Sequence, residues 1–174
     1  KVTDIRVRDI RFPTSKDNLG TDAVHVDCDY SATYVTIITD NKNLTGIGLT
    51  FTIGKGNDLC CKAIEYFKEF IIDKEITDIE ENILEIWTKV TNHSQLRWVG
   101  PNKGVTHIAA AAFFNAIWDL VAKFYNKPLW QYIIDLDADA LINKLSFKYL
   151  DDVITKEEAK KIINSNKEKL PKDT

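Results

Sequence analysis

Methionine is absent from this 174-residue chain, and proline (4), glycine (7) and cysteine (3) are sparse. So little glycine and proline excludes a collagen-like or low-complexity chain. Cys28, Cys60 and Cys61 cannot all pair, and two of them are adjacent, so a disulfide framework is excluded and a reducing compartment fits best. The missing methionine, with Lys1 as the opening residue, leads us to expect a chain that lacks residues at its start or is a fragment. No run approaches the roughly 18 consecutive apolar residues of a membrane span, and Lys1 to Phe12 alternate charge with aliphatics instead of forming a signal core. No membrane partner is therefore expected. With 23 Lys and Arg against 26 Asp and Glu, the net charge is −3, and no strongly basic stretch supports nucleic-acid binding. The expectation is an intracellular protein, cytoplasmic, or mitochondrial if the source is an animal.

Several site signatures are also missing. Gly54 and Gly56 lie where a dinucleotide loop would begin, but Leu59 stands at the third glycine position and no parallel βαβ unit follows. Lys55 is followed by Gly56 and not by Ser or Thr, so there is no phosphate-binding loop. His25, His93 and His107 show no zinc spacing with Cys60 and Cys61, and read as surface or packing residues. No Gly-x-Ser-x-Gly elbow is present. The triplets Asn43-Leu44-Thr45 and Asn92-His93-Ser94 match a glycosylation sequon that matters only in a secreted protein.

What is present falls into an ordered plan. Ile5 and Val7 alternate with Arg6 and Arg8, then the pattern slips at Asp9 before Ile10 and Phe12, which predicts a strand over 2–12 with a bulge at Asp9. Residues 13–29 are polar and turn-rich around Gly20, too long for a tight hairpin and of a length that is usually functional or disordered. Strands are predicted over 32–39 and 46–52, joined by a turn at 40–43, completing an antiparallel meander. The period then becomes helical. A first helix capped by Asn57 carries Leu59, Ile64, Phe67 and Ile71 on one side. Thr77 and Glu80 have capping-box spacing ahead of Ile79, Ile83, Trp87 and Val90, marking a second. The third, 105–124, is apolar almost all round, with Ile108, Ala109, Ala112, Ala116 and Leu120, and must be central. Shorter helices follow around Trp130, over 137–145, and after a Thr155/Glu158 cap. The class is α+β: a three-stranded antiparallel meander followed by a helical bundle.

That order, and five strings within it, carry a resemblance. They are Val7-Arg8-Asp9-Ile10-Arg11-Phe12-Pro13-Thr14-Ser15, Asp27 through Tyr34, Thr50-Phe51-Thr52-Ile53-Gly54-Lys55-Gly56, Gln95-Leu96-Arg97-Trp98-Val99-Gly100-Pro101, and Asn115-Ala116-Ile117-Trp118-Asp119-Leu120. The chain resembles the N-terminal capping domain of L-fuconate dehydratases, in the mandelate racemase and muconate lactonizing branch of the enolase superfamily. The likeness continues to Phe147-Lys148-Tyr149-Leu150 and Thr155; Cys28 departs from the proline usual in the family. The capping domain then spans 1–165, and 166–174 is a Lys-rich tail leading towards a barrel that this chain lacks.

The resemblance implies that the cap closes over the C-terminal mouth of its own barrel domain, where barrel active sites lie. It implies that Gly20, Thr21, Asp22 and Tyr30 touch a sugar acid. The residue types agree: a carboxylate accepts from sugar hydroxyls, and a tyrosine offers both a hydroxyl and an apolar face. The plain alternative is a solvated aspartate in a polar loop. Lys55, Arg97 and Trp98 are further candidates, with Arg97 stacked on Trp98 as the packing alternative. The implied reaction uses Mg²⁺ to stabilise an enediolate formed by a Lys or His base, then loses water to give a 2-keto-3-deoxy acid. Catalytic residues and metal ligands would lie in the barrel, so the chain alone should be inactive. Other possibilities are a stand-alone binding or oligomerisation module, and the cap of another acid-sugar dehydratase or racemase; relatives are commonly homo-oligomers.

Overall fold

The computed structural model describes residues 1–100 and 104–167, so Pro101 of the fourth string and most of the tail lie outside the described residues. The elements run β1 (Val2–Ile10), β2 (Ser31–Thr39), β3 (Thr45–Thr52), α1 (Asn57–Phe67), α2 (Ile76–Glu81), α3 (Ile83–Thr91), α4 (Val105–Phe124), α5 (Leu129–Asp135), α6 (Ala138–Asn143) and α7 (Lys156–Lys167). The sheet order is β1-β2-β3, antiparallel throughout.

The bulge is not at Asp9. It lies between Val2 and Asp4, where Thr3 is the extra residue, and this lets Val2 and Ile5, three apart, both face the core. Past it the register is regular and Asp9 pairs with Thr33. Asp9 breaks the apolar alternation because its carboxylate is received inside, by the Asn57 amide at 2.8 Å.

That amide is also why Asn57 is not a helix cap. The N-cap of α1 is Gly56, and Asn57 is the first helical residue, fully buried. Its Nδ2 donates to Asp9 Oδ1 and to the Ala32 carbonyl (3.0 Å), and its Oδ1 accepts from Thr52 Oγ1 (2.8 Å) and Thr33 Oγ1 (3.2 Å). One side chain ties all three strands to the start of α1, with every polar atom satisfied. The inward face of α1 is Cys60, Ala63, Ile64 and Phe67; Leu59 points to solvent, and Ile71 is buried beyond the helix end.

The predicted second helix is two. α2 stops at Glu81, α3 starts at Ile83, and neither has a side-chain cap. Thr77 and Glu80 therefore form no capping box. Glu80 is buried and accepts from the Tyr132 hydroxyl at 2.5 Å, while Lys144 pairs with the same carboxylate. This links α2 to α5 and α6. The cap at α7 is as expected: Thr155 N donates to Glu158 Oε2 at 2.8 Å and Glu158 N to Thr155 Oγ1 at 3.2 Å.

α4 is the centre of the molecule. It is long and apolar enough to cross a membrane by length and composition, but here it is the core helix, buried through Ala109, Ala112, Phe113, Ala116, Ile117 and Leu120, with Ile108 partly exposed. It lies almost in backbone contact with β3. A Cβ on Gly46 would meet the Ala116 carbonyl oxygen at 2.2 Å, and one on Gly48 the Ala112 carbonyl oxygen at 2.2 Å. Asp119 of α4 accepts from the backbone N–H of Ile47 at 2.7 Å, and Lys123 donates to the Thr45 carbonyl at 3.2 Å. The helix thereby covers part of the open edge of β3 and blunts it against strand pairing.

Candidate functional site

The loop between β1 and β2 is closed by its own side chains. A single 3₁₀ turn, Thr14–Asp17, starts it. Thr14 Oγ1 donates to the Cys28 carbonyl and accepts from Tyr30 N, both at 3.0 Å, so the two ends of the loop are pinned together. Asp29 accepts from Ser15 Oγ at 2.7 Å and Ser15 N at 3.1 Å. The Ser15 hydroxyl and backbone amide hold the Asp29 carboxyl below the usual aspartate range.

Of Gly20, Thr21, Asp22 and Tyr30, the loop brings Gly20 and Tyr30 into contact, while Thr21 and Asp22 bond to other loop residues. The Tyr30 hydroxyl donates to the Gly20 carbonyl at 3.2 Å, and Thr21 Oγ1 donates to the Asn18 carbonyl at 3.0 Å. The Tyr30 ring stacks on Phe51 of β3, centroids 5.4 Å apart, which fixes the loop against the sheet. Asp22 is less free than its exposure suggests. Its Oδ1 accepts from the backbone N–H groups of Val24 (2.7 Å) and His25 (2.8 Å), and His25 Nδ1 lies 3.2 Å from Oδ2. The backbone amides of His25 and Val24, with the His25 ring, hold the Asp22 carboxyl below its ordinary value. Asp22 thus organises a turn, and Oδ2 is its less committed oxygen. His25, read from sequence as surface or packing, is its partner.

Beside this loop lies a cleft of about 580 Å³ lined by Arg11, Ser15, His25, Asp27, Cys28, Asp29, Ile53, Gly54 and Lys55. Lys55 therefore joins the loop at one wall. Arg97 and Trp98 do not line it: they sit on a 3₁₀ turn, Arg97–Val99, with Trp98 89% exposed. Nor do they stack; among the described residues the cation over a ring is Lys148 on Tyr149, at 5.1 Å. Sequence reasoning missed Arg11. Its Nε and Nη2 grip Asp9 at 2.8–3.1 Å, and the signal available was the inward-facing acid at position 9. Arg11 first, then Asn57, holds the Asp9 carboxyl below its usual value. A second cavity, about 490 Å³, is lined by Glu80, Tyr125, Tyr132 and Lys144 among others, and its buried charges are already paired with one another.

A three-stranded meander, a side-chain-closed loop and a helical bundle built on one apolar helix define an α+β capping-type domain. The sequence matches the family described as mandelate racemase / muconate lactonizing enzyme, N-terminal domain, over residues 21–133. The chain belongs to that family, as the N-terminal capping domain of an enolase-superfamily protein. It is 44% identical to Mitochondrial enolase superfamily member 1 of Xenopus laevis over 97% of its length, covering 38% of that protein. It is also 44% identical to the L-galactonate dehydratase of Hypocrea jecorina, over 91% of this chain and 35% of that one. The crystal structure of human Mitochondrial enolase superfamily member 1 superposes with a TM-score of 0.88 at 42% identity, over 95% of this chain and 38% of that chain. L-talarate dehydratase from Polaromonas sp. JS666, solved with Mg and L-glucarate, shares the fold: TM-score 0.56, 16% identity, 83% of this chain and 39% of that one. The chain thus spans little more than a third of the curated relatives it matches.

Proposed function

We propose that this chain is the substrate-capping part of a sugar-acid dehydratase, with the 13–30 loop holding the hydroxylated end of the substrate over the mouth of a barrel. The observation that carries the reading is the closure of Tyr30 on Gly20, which builds a fixed loop beside a cleft of donors and acceptors. We assign to the sugar acid Asp22 Oδ2 and Tyr30 on the loop, with Gly20 and Thr21 supplying backbone, and Lys55 in the neighbouring cleft, which the four loop residues do not themselves line.

The substrate proposed is L-fuconate, with L-galactonate as its near neighbour. The two differ only at C6, a methyl in one and a hydroxymethyl in the other. A site with an apolar wall there discriminates weakly against the added hydroxyl, whereas a site built to bond that hydroxyl strongly rejects the deoxy acid. Magnesium belongs to the proposed reaction. Among the described residues no group of three or more His, Cys, Asp or Glu could hold a metal ion, and we propose that its ligands lie in the barrel.

The outward face of the sheet leaves Ile47 (50%), Leu49 (43%) and Phe51 (54%) about half exposed, which supports a covering partner. In this reading the cover is the barrel. The alternative is a non-catalytic module covered by a second copy, which light scattering on the 1–174 chain separates. The direct test grafts residues 1–167 in place of the matching segment of the Hypocrea jecorina L-galactonate dehydratase. Formation of 2-keto-3-deoxy acid by the hybrid supports the reading; a hybrid that is folded by circular dichroism yet turns over neither acid overturns it.

A further inference from the structure

We infer that Arg11 is a ligand-contacting residue of the cleft, and that Asn57, acting through Asp9, is its positioning residue. The inference deepens the reading of this loop as a sugar-acid contact and rests on it.

The chain of contacts begins in the core. Asn57 is fully buried, with its Oδ1 held by Thr33 of β2 and Thr52 of β3, so its Nδ2 has a fixed place from which to donate to Asp9 at 2.8 Å. Asp9 in turn receives Arg11 in a two-pronged grip, Nε to Oδ1 at 3.0 Å and Nη2 to Oδ2 at 2.8 Å. Such a fork fixes the plane of the guanidinium, which a single contact would not. Nη2 also reaches Asp58 at 3.4 Å. Among the described residues nothing accepts from Nη1, and Arg11 lines the cleft and is about half exposed, at 47%. A directed, unspent pair of N–H donors is thus held at the wall by a buried anchor.

The charge state says what those donors fit. Asp9 already neutralises Arg11, and Asp27 and Asp29 line the same cleft with Lys55 and Ser15. Arg11 therefore acts as a directional donor and not as an anion trap. A cleft that offers both donors and acceptors suits a chain of hydroxyls, each of which both gives and accepts a hydrogen bond. The ligand group at Arg11 is a hydroxyl of the sugar acid's uncharged end.

The test is a ¹H–¹⁵N titration of the 1–174 chain with sodium L-galactonate and with L-fuconate, following the loop amides and the Arg11 Nε–H signal. The expected result is that both shift together and saturate. Arg11→Ala weakens binding about tenfold, the scale of a lost hydrogen bond from a charged donor. Arg11→Lys keeps the charge but loses the fork, and falls between Arg11→Ala and the unsubstituted chain. Asp9→Asn weakens binding about threefold, and adds nothing in the Arg11→Ala background, because its effect passes through Arg11. A purely structural role for Asp9 would persist in that background. Loop amides that shift with binding unchanged in Arg11→Ala, or an Asp9→Asn loss that survives in the double variant, overturn this inference alone. No shift anywhere overturns it together with the loop's assignment to sugar acid.

Discussion

The Tyr30 ring occupies the space a side chain at position 20 would need: a Cβ added to Gly20 would fall 2.0 Å from Tyr30 Cε2, while the Tyr30 hydroxyl bonds the Gly20 carbonyl at 3.2 Å. Gly20 also has φ +73, a left-handed conformation that other residues adopt at a cost of about 1 kcal/mol or more. The pair is a lock, and each half has a separate prediction. Gly20→Ala should open the loop and lower stability by roughly 1–3 kcal/mol, with the core intact. Tyr30→Phe keeps the stack on Phe51 and should cost only about 0.5–1.5 kcal/mol. Urea midpoints for the two variants check the order.

Where α4 meets β3 there is no room to adapt. Gly48→Ala drives a methyl to 2.2 Å from the Ala112 carbonyl oxygen, backbone against backbone, so α4 must move off the sheet. Overpacking of this kind costs about 1–3 kcal/mol in adaptable cores, and here we expect the upper end or beyond. The measurement is the thermal midpoint of Gly48→Ala beside Ala111→Gly on the exposed side of α4, which should lose only about 1 kcal/mol.

The buried Glu80–Lys144 pair is a commitment made by the fold. The two side chains are 11% and 8% exposed, and the Tyr132 hydroxyl completes the carboxylate. Burial, with Glu80 beside it, pushes the Tyr132 hydroxyl far above its ordinary pKa and keeps it a donor. Lys144→Met strands the carboxylate and should cost about 3–5 kcal/mol, whereas Glu80→Leu with Lys144→Met should recover most of that loss. A double variant no more stable than the single one would contradict the account.

Acid should open the loop. Asp22 and Asp29 have folded-state values depressed below the ordinary 3.8, by the His25 and Val24 amides and by Ser15 respectively. The closed loop then binds fewer protons than the open one, so closure is fully favoured above that value and is lost as pH falls through the lower, folded values. Amide signals of Val24, His25 and Ser15 should therefore move in acid before the α4 core does.

Much of this was legible in the residues, and the parts that were not share a cause. α4 matched its predicted bounds because apolar residues occupy nearly every face of these twenty positions, a pattern that fits a helix at the centre of a core. The meander was legible from alternation. Asp9, Asn57 and Glu80 misled because a polar residue in a periodic pattern was assigned a local task, a bulge or a cap, when each in fact reaches across the fold: Asp9 to Asn57, Glu80 to Tyr132 and Lys144. Sequence spacing carries no trace of such long-range partners. At the site, the loop over 13–29 is legible from its length and polarity, whereas Arg11 is not, because its partner Asp9 reads in sequence as a bulge.

The central claim is that this domain caps a sugar-acid dehydratase, and the most direct measurement is steady-state turnover by the hybrid with the Hypocrea jecorina barrel, with Tyr30→Phe alongside. The account predicts turnover of L-galactonate or L-fuconate, with KM raised about threefold to tenfold by Tyr30→Phe, the scale of one neutral hydrogen bond. A folded hybrid that turns over neither acid would contradict it.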